Sequence, residues 1–414
     1  MLYDQGQLLA AFAEAARLNP GNREYLDAVE DIITYIRTNL RHPEGGFYCA
    51  EDADSLPVEE AKLKLEGAFA VWTFQEIQDS LPDDVAKVFN SHYGVEEKGN
   101  VPTGLDHHGE LRNQNVLIEQ RSVKETAELF RLSFQECHRM LAQAKETLAA
   151  VRALRPRPHL DDKILVAWNA LAISGLCSAY SVTANPSTLL LAEQAANFIK
   201  ANMVAEDNCL VRSYRNGPST ISGFAADYVF LTSALLDLWN CTLKPQYLEW
   251  AVQVQAKCDT LFWDDENYGY FSSPKNAQDI QLRLKDSVNS VAAMNLLRLD
   301  LIVEDKGYRS KFAQLLSSLS NEMKDAPDAR PSLLAALIFD MALPRKLTFL
   351  IPAQFTNDPL SNENIMSLKK ACGQGPFQVF AVQESGKTEV QVCRGTTCQK
   401  PVGTCEELKE ILKN

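Results

Sequence analysis

The sequence lacks long apolar runs, an excess of positive charge and any Cys-x-x-Cys pair. No segment approaches the ~20 apolar residues that cross a bilayer, so we expect no membrane span. The 41 Lys and Arg residues face 54 Asp and Glu residues, a net charge of −13. That balance argues against nucleic acid or an anionic membrane surface as a partner. The first residues carry no basic n-region, so we expect no signal peptide and a cytoplasmic location.

Several cofactor and catalytic signatures are also missing. The chain has no G-x-G-x-x-G, no P-loop, no G-x-S-x-G and no H-E-x-x-H, which argues against dinucleotide, nucleotide, hydrolase-elbow and zincin chemistry. We therefore expect no cofactor and no metal. His107 and His108 are adjacent in a polar loop, and adjacent side chains do not share one face of a regular element, so a metal site there is disfavoured.

The ten cysteines are too few for a disulfide scaffold, and most stand singly in apolar helical runs. Cys393, Cys398 and Cys405 are closer together but have no histidine nearby. The favoured interpretation is reduced thiols in a reducing compartment, with a zinc or redox site as the alternative.

Helical periodicity dominates the chain, because apolar residues return every three or four positions. The predicted helices are 4–18, 24–40, 69–79, 122–152, 161–182, 187–203, 224–242, 245–262, 288–303, 308–323, 331–343 and 404–412. Short alternating segments predict strands at 346–351, 377–382 and 389–393.

The helices are of two alternating kinds. One kind, such as 161–182 and 224–242, is apolar on most sides and rich in small residues, which indicates a buried helix. The other kind has a polar face, and a glycine–aromatic turn follows two of these helices, at 45–48 and 268–271. This pattern predicts an all-α toroid with inner apolar and outer amphipathic helices, followed by a small α/β segment.

About eleven helices precede residue 345, whereas six inner–outer pairs need twelve. The chain opens on an inner-type helix, so we expect a truncated or alternative form of a longer protein that is one outer helix short. The expected division is a toroid over 1–344 and an α/β appendage over 345–414.

Five motifs together resemble the spermatogenesis-associated protein 20 family. They are GGFYCAEDADS (45–55), EGAFAVWTFQEI (66–77), HYGVEEKGNVPTGLDHHGELRNQNVLI (92–118), RPHLDDKILVAWNALAISGL (157–176) and NSVAAMNLLRLD (289–300). The resemblance implies an (α/α)₆-type toroid similar to six-hairpin glycosidases and N-acylglucosamine 2-epimerases. That family also carries an N-terminal thioredoxin-like domain, which this sequence does not contain. Ala70 and Ala170 depart from the family's tyrosine and glycine.

Carboxylates near the expected mouth of the toroid are candidates for acid–base chemistry. Asp52 and Asp54 follow the first glycine–aromatic turn, and Glu66 precedes another turn. Neighbouring carboxylates push one another's pKa values apart, as glycoside chemistry requires. A solvated loop or helix capping explains the same residues equally well.

Two inner helices begin with further candidates. His159 lies just before 161–182 and Asp162 lies at its start, and the two suit a general base and its acidic neighbour, while Asp227 opens 224–242. Helix capping is the alternative for both aspartates. The candidate substrate-binding residues, for stacking and hydrogen bonds, are Tyr48, Trp72, Trp168, Asn169 and Tyr228, with a core position as the alternative for the tryptophans.

Two functions remain open at this point. One is a glycosidase-like or epimerase-like enzyme that takes a small carbohydrate as its partner, as the resemblance implies. The other is a non-catalytic binding or scaffold module. The sequence leaves the substrate, the reaction and the oligomeric state open.

Overall fold

The computed structural model describes residues 1–102, 104, 106, 109–275, 288–373, 375 and 377–413. The helices are α1 (Leu2–Leu18), α2 (Arg23–Asn39), α3 (Phe74–Ser80), α4 (Asp83–Tyr93), α5 (Val123–Phe130), α6 (Phe134–Arg152), α7 (Val166–Thr183), α8 (Pro186–Asn202), α9 (Ala225–Thr242), α10 (Pro245–Phe262), α11 (Val288–Val303), α12 (Lys306–Ser318), α13 (Ser320–Asp325), α14 (Pro331–Met341), α15 (Glu363–Cys372) and α16 (Cys405–Lys413). The strands are β1 (Ala50–Glu51), β2 (Asp54–Ser55), β3 (Leu65–Glu66), β4 (Leu160–Asp161), β5 (Ile164–Leu165), β6 (Ser213–Tyr214), β7 (Arg345–Ile351), β8 (Gln378–Glu384), β9 (Glu389–Arg394) and β10 (Thr397–Cys398).

The chain folds as two compact units. One unit combines Met1–Cys49 with Asp162–Asn414 and is called the split unit here; the other, Ala50–Asp161, is called the inserted unit. The sequence predicted a domain boundary at residue 345, whereas these two units divide the chain at other positions. The boundary at residue 345 stays a prediction.

The split unit is built from alternating inner and outer helices, as expected. The inner helices α1, α7, α9, α11 and α14 contact one another in that order, and α2, α8, α10 and α12 each pack on their inner partner. Most side chains of α7 and α9 are buried. The mostly helical α/α architecture predicted from the two kinds of helix is confirmed.

Glycines allow α1 and α7 to approach closely. A Cβ on Gly6 would lie 2.7 Å from the backbone nitrogen of Ala172, and a Cβ on Gly175 would overlap the carbonyl oxygen of Gly6. Backbone therefore packs directly against backbone where these two helices meet.

The C-terminal segment is a four-stranded sheet in the order β10-β9-β7-β8, in which β7 and β8 are parallel and the other pairs antiparallel. The three predicted strands match β7, β8 and β9. The sheet is joined to the helices by Trp239 of α9, whose indole N–H donates to the carbonyl of Phe380 at 2.8 Å.

The inserted unit has a core of its own. Trp72, Phe89, Cys137 and Leu141 belong to a buried cluster formed by α3, α4, α5 and α6. The predicted helix 122–152 is two helices, because Arg131 adopts a left-handed conformation (φ 56°) and Ser133 then caps α6 by accepting from the backbone of Glu136. Helix α4 was not predicted.

One disulfide differs from the expectation of reduced thiols. Cys393 and Cys398 are cross-strand partners in β9 and β10 and are bonded, with their Cα atoms 4.0 Å apart. The other eight cysteines form no disulfide. No helix among the described residues is long and apolar enough to cross a membrane.

Candidate functional site

The predicted site residues divide between the two units. Those of the split unit are Tyr48, Asp162, Trp168, Asn169, Asp227 and Tyr228; those of the inserted unit are Asp52, Asp54, Glu66, Trp72 and His159.

In the split unit, Asp162 and Tyr48 lie close together in a polar and aromatic cluster. The Asp162 carboxylate meets the guanidinium of Arg215, with Oδ1 and Nε 2.6 Å apart. Pairing of β5 with β6 brings these segments together, because Ile164 is opposite Tyr214. Burial and then the charge of Asp162 raise the pKa of the half-buried Tyr48 phenol.

His42 completes this group, although the sequence analysis did not select it. Its ring centroid lies 5.5 Å from that of Tyr48 and 6.1 Å from that of Tyr214, both edge-to-face. Its Nδ1 accepts a hydrogen bond from the backbone of Glu44 at 3.1 Å. The signal that could have found it is its position just before the glycine–aromatic turn. We call Tyr48, His42, Asp162, Tyr214 and Arg215 the Tyr48 cluster.

A second aromatic pair lies at the same end of the inner helices. The rings of Tyr3 on α1 and Trp168 on α7 meet edge-to-face at 4.9 Å, and both are half-buried. The backbone N–H of Leu2 donates to the carbonyl of Cys49 at 2.8 Å. The start of α1 therefore lies beside the residue that follows Tyr48.

The Asn169 side chain holds the first glycine–aromatic turn in place. Its amide bonds both backbone groups of Phe47, accepting from the N–H at 2.8 Å and donating to the carbonyl at 2.9 Å. Asn289 holds Tyr270 of the second glycine–aromatic turn in the same way, at 2.7 and 2.9 Å. The same pair of hydrogen bonds from an asparagine therefore holds both glycine–aromatic turns. We call these two contacts the asparagine clamps. Asn169 is fully buried and so is not accessible to a ligand.

Asp227 and Tyr228 are also engaged by the protein. Asp227 Oδ1 accepts from the backbone of Ala167 at 3.0 Å, and Oδ2 accepts from the backbone of Phe224 at 2.8 Å and from Arg212 at 3.0 Å. Burial raises the pKa of the carboxyl, and Arg212 partly offsets that effect. The buried Tyr228 hydroxyl accepts from the backbone of Leu210 at 2.8 Å. Asp227 thus caps the starts of α9 and α7, which is the capping alternative, whereas Tyr228 holds the loop that precedes α9.

In the inserted unit, Asp52 and His159 approach one another on the surface. Asp52 Oδ2 is 3.9 Å from His159 Nδ1 and 3.4 Å from Lys64 Nζ, and the side chains of Asp52 and His159 are 45% and 62% exposed. The pairing of β1 with β4 produces this contact, since Glu51 is opposite Leu160. An exposed ion pair of this kind is weak.

Asp54 and Glu66 are directly opposite one another in the β2–β3 pair. The Glu66 backbone donates to Glu110 Oε2 at 2.8 Å, and Glu66, Glu76, Glu110 and Arg155 line a cavity of about 130 Å³. Arg155 donates to three carbonyl groups, at residues 68, 69 and 71, and pairs with Glu76 at 3.2 Å.

The guanidinium of Arg155 also lies 4.1 Å from the ring centre of Trp72. Trp72 is only 2% exposed, a core position without a free face for a ligand.

A further cavity, of about 240 Å³, opens between the C-terminal halves of α1, α7 and α9. Asp237 lines it and is held by Ser174 at 2.6 Å and Arg298 at 2.9 Å. None of the predicted site residues lines this cavity. His107 and His108 lie outside the described residues, and within the described part of the chain no three His, Cys, Asp or Glu side chains are grouped to hold a metal.

The chain is similar in sequence to several known proteins. No protein-family model matches. The uncharacterized protein B0495.5 of Caenorhabditis elegans is 35% identical over 99% of the chain and 60% of its own length. Spermatogenesis-associated protein 20 of Homo sapiens is 38% identical over 81% of the chain and 46% of its own length, and that of Mus musculus is 36% identical over the same shares.

Among solved structures, the matches are weak. A D-mannose isomerase covers 78% of the chain and 76% of its own, at 14% identity and a TM-score of 0.39. A sugar epimerase from a ruminal bacterium covers 77% and 75%, at 11% identity and a TM-score of 0.37. The chain spans about half the length of the curated relatives that it matches. By sequence, it is a homologue of the spermatogenesis-associated protein 20 family.

Proposed function

We propose that the chain binds a small carbohydrate or related polyol at the Tyr48 cluster. The observation that carries this proposal is the Asp162–Arg215 pair beside the half-buried rings of Tyr48 and Tyr214. A carboxylate accepts hydrogen bonds from sugar hydroxyls and a guanidinium donates to their oxygens, while aromatic rings pack on the apolar face of a sugar ring. Arg215 and Asp162 keep 57% and 35% of their side chains exposed, so a ligand has access to both.

The finer proposal is that Asp162 also moves a proton during hydrolysis or epimerisation. His42 is the nearest candidate for a second acid–base group, because its ring packs on that of Tyr48. In either reaction Arg215 would orient the Asp162 carboxylate, and Tyr48 would border the sugar.

The alternative is a binding module without catalysis. One observation favours it specifically: Asp227, a predicted acid at the start of an inner helix, spends both oxygens on three protein hydrogen bonds. In the split unit this removes one of the two carboxylates that glycoside hydrolysis ordinarily needs.

Calorimetric titration of the protein with a panel of monosaccharides, disaccharides and polyols tests the proposal. We expect a saturable signal that Asp162→Asn and Arg215→Gln weaken about tenfold or more, since each removes a charged hydrogen-bond partner. The matched control is Asp31→Asn on the exposed face of α2, which should bind as wild type does. Binding that survives both cluster substitutions would contradict the assignment.

Catalysis is tested separately on any sugar that binds. Proton NMR in heavy water detects epimerisation as deuterium incorporation at the epimerised carbon, and hydrolysis as a new reducing end. Turnover that disappears in Asp162→Asn supports the enzyme. Binding without turnover in wild type supports the non-catalytic module.

A further inference from the structure

The C-terminal hairpin of the split unit holds an accessible disulfide. Cys393 and Cys398 face one another across β9 and β10, and residues 394–400 are exposed throughout. Six of the eight remaining cysteines are buried. The Cys393–Cys398 disulfide therefore lies at a solvent-exposed edge of the C-terminal sheet.

The hairpin does not depend on the disulfide alone. The backbone of Gln399 donates to the carbonyl of Val392 at 2.8 Å, and Val390 and Val402 exchange two backbone hydrogen bonds at 2.8 and 3.0 Å. These bonds lie on the side of the bridge away from the turn at 395–396, and they continue the strand pairing beyond β10. The strands can therefore keep their pairing when the sulfur–sulfur bond is opened.

Basic residues lie close in sequence to the two cysteines. Residues 393–400, Cys-Arg-Gly-Thr-Thr-Cys-Gln-Lys, contain two basic side chains and no acidic one. Lys346 is the partner of Cys393 on β7, although its ammonium group is paired with Glu304. Nearby cations stabilise a thiolate and so make it a better leaving group in thiol–disulfide exchange.

From this accessibility, independent backbone pairing and charge, we propose that Cys393–Cys398 is a thiol–disulfide exchange site whose substrate is a dithiol. The thiolate of the dithiol attacks Sγ of Cys398, the more exposed cysteine, forming a new sulfur–sulfur bond. The protein's own bond breaks, and its electron pair stays on Cys393 beside Arg394. The second thiolate of the dithiol then attacks the mixed disulfide and releases Cys398.

The exchange is balanced. The dithiol loses two electrons and becomes a disulfide, and the protein disulfide gains them. The two protons given up by the dithiol are taken up by the two cysteines. A monothiol such as glutathione lacks the second sulfur and stops at the mixed disulfide unless another molecule attacks.

The experiment equilibrates the whole native protein with mixtures of reduced and oxidised dithiothreitol, alkylates the thiols and maps the modified cysteines by mass spectrometry. We expect a single two-electron transition, confined to Cys393 and Cys398, with an unchanged far-UV circular dichroism spectrum. Cys393→Ser and Cys398→Ser should each abolish it, whereas Cys49→Ser, a buried cysteine, should not.

Kinetics separates an exchange site from a merely structural crosslink. Arg394→Gln should slow reduction about two- to five-fold, because the leaving thiolate loses a neighbouring charge. Lys387→Gln, an exposed charge in the β8–β9 turn, is the matched control and should react at the wild-type rate. Three results would overturn the proposal: free thiols at both positions in protein purified without reductant, reduction that proceeds only as the sheet unfolds, or equal rates for Arg394→Gln and Lys387→Gln.

Discussion

At the scale of single residues, the buried His92 makes the stability of the protein depend on pH. Its Nδ1 is 3.1 Å from the hydroxyl of Thr126 and its Nε2 is 3.5 Å from Glu119, and only 1% of the side chain is exposed. Burial lowers the pKa of the imidazole, and the negative charge of Glu119 counters only part of that effect. The folded protein therefore binds this proton less tightly than the unfolded chain does.

The expected consequence is a loss of stability on acidification. The contribution of His92 is fully present above the pKa that histidine has in the unfolded chain, and it is lost as the pH falls through that pKa towards the lower folded one. Urea denaturation between pH 7.5 and pH 5 should show this decline in wild type and a smaller decline in His92→Gln. His138→Gln, at an exposed position of α6, should follow wild type. Equal slopes for wild type and His92→Gln would contradict the assignment.

The role of Asp227 could not be predicted from the sequence. An aspartate at the start of an apolar helix suits a cap and a ligand site equally, because both need an acceptor at that position. Its partners on Arg212 and Ala167 are 15 and 60 residues away in sequence. Only the folded arrangement brings them together, so no local pattern could have separated the two interpretations.

At the scale of helices and turns, the two asparagine clamps should carry a large share of local stability. Asn169→Ala or Asn289→Ala leaves both backbone groups of a buried aromatic residue without partners, at a cost of about 2–4 kcal/mol each. Chemical denaturation of the single variants measures this cost. Asn364→Ala, on the exposed face of α15, is the control and should change stability by less than about 0.5 kcal/mol. Small effects at both clamps would show that the turns are held mainly by their aromatic side chains.

The crossing of α1 and α7 gives a second prediction at this scale. Alanine favours a helix over glycine, yet Gly175→Ala would place a methyl group onto the backbone of Gly6. We expect the clash to dominate and to destabilise the protein by about 1–3 kcal/mol in thermal or urea unfolding. Gly21→Ala, where a Cβ meets nothing within 4 Å, should be close to neutral. A Gly175→Ala variant more stable than wild type would mean that the helices separate at little cost.

The sequence predicted elements well where one signal dominated. Helices α7 and α9 are apolar on nearly every side, and the C-terminal strands alternate, so both were located to within a few residues. The break between α5 and α6 was missed because Arg131 takes a left-handed conformation that arginine rarely adopts. The clamp between Asn169 and Phe47 was missed as well, since 122 residues separate the two partners.

At the scale of the whole chain, the inserted unit should fold by itself. Its buried cluster contains aromatic, aliphatic and sulfur side chains contributed by all four of its helices. We expect residues 50–161, expressed alone, to be helical by circular dichroism and to unfold in one cooperative urea transition. A fragment without a cooperative transition would show that this segment needs the remainder of the chain. Trp72→Ala removes a large side chain from this cluster and serves as the destabilised reference, with an expected loss of about 3–5 kcal/mol in the free energy of unfolding.

The ends of that segment have a practical consequence. Ala50 and Asp161 are opposite one another in the β1–β4 pair, which sets their Cα atoms about 5 Å apart. A linker of one or two amino acids is therefore long enough to connect these two positions when the residues between them are removed. We expect that a foreign domain whose own termini are adjacent, such as a fluorescent reporter, can replace residues 50–161 between Cys49 and Asp162.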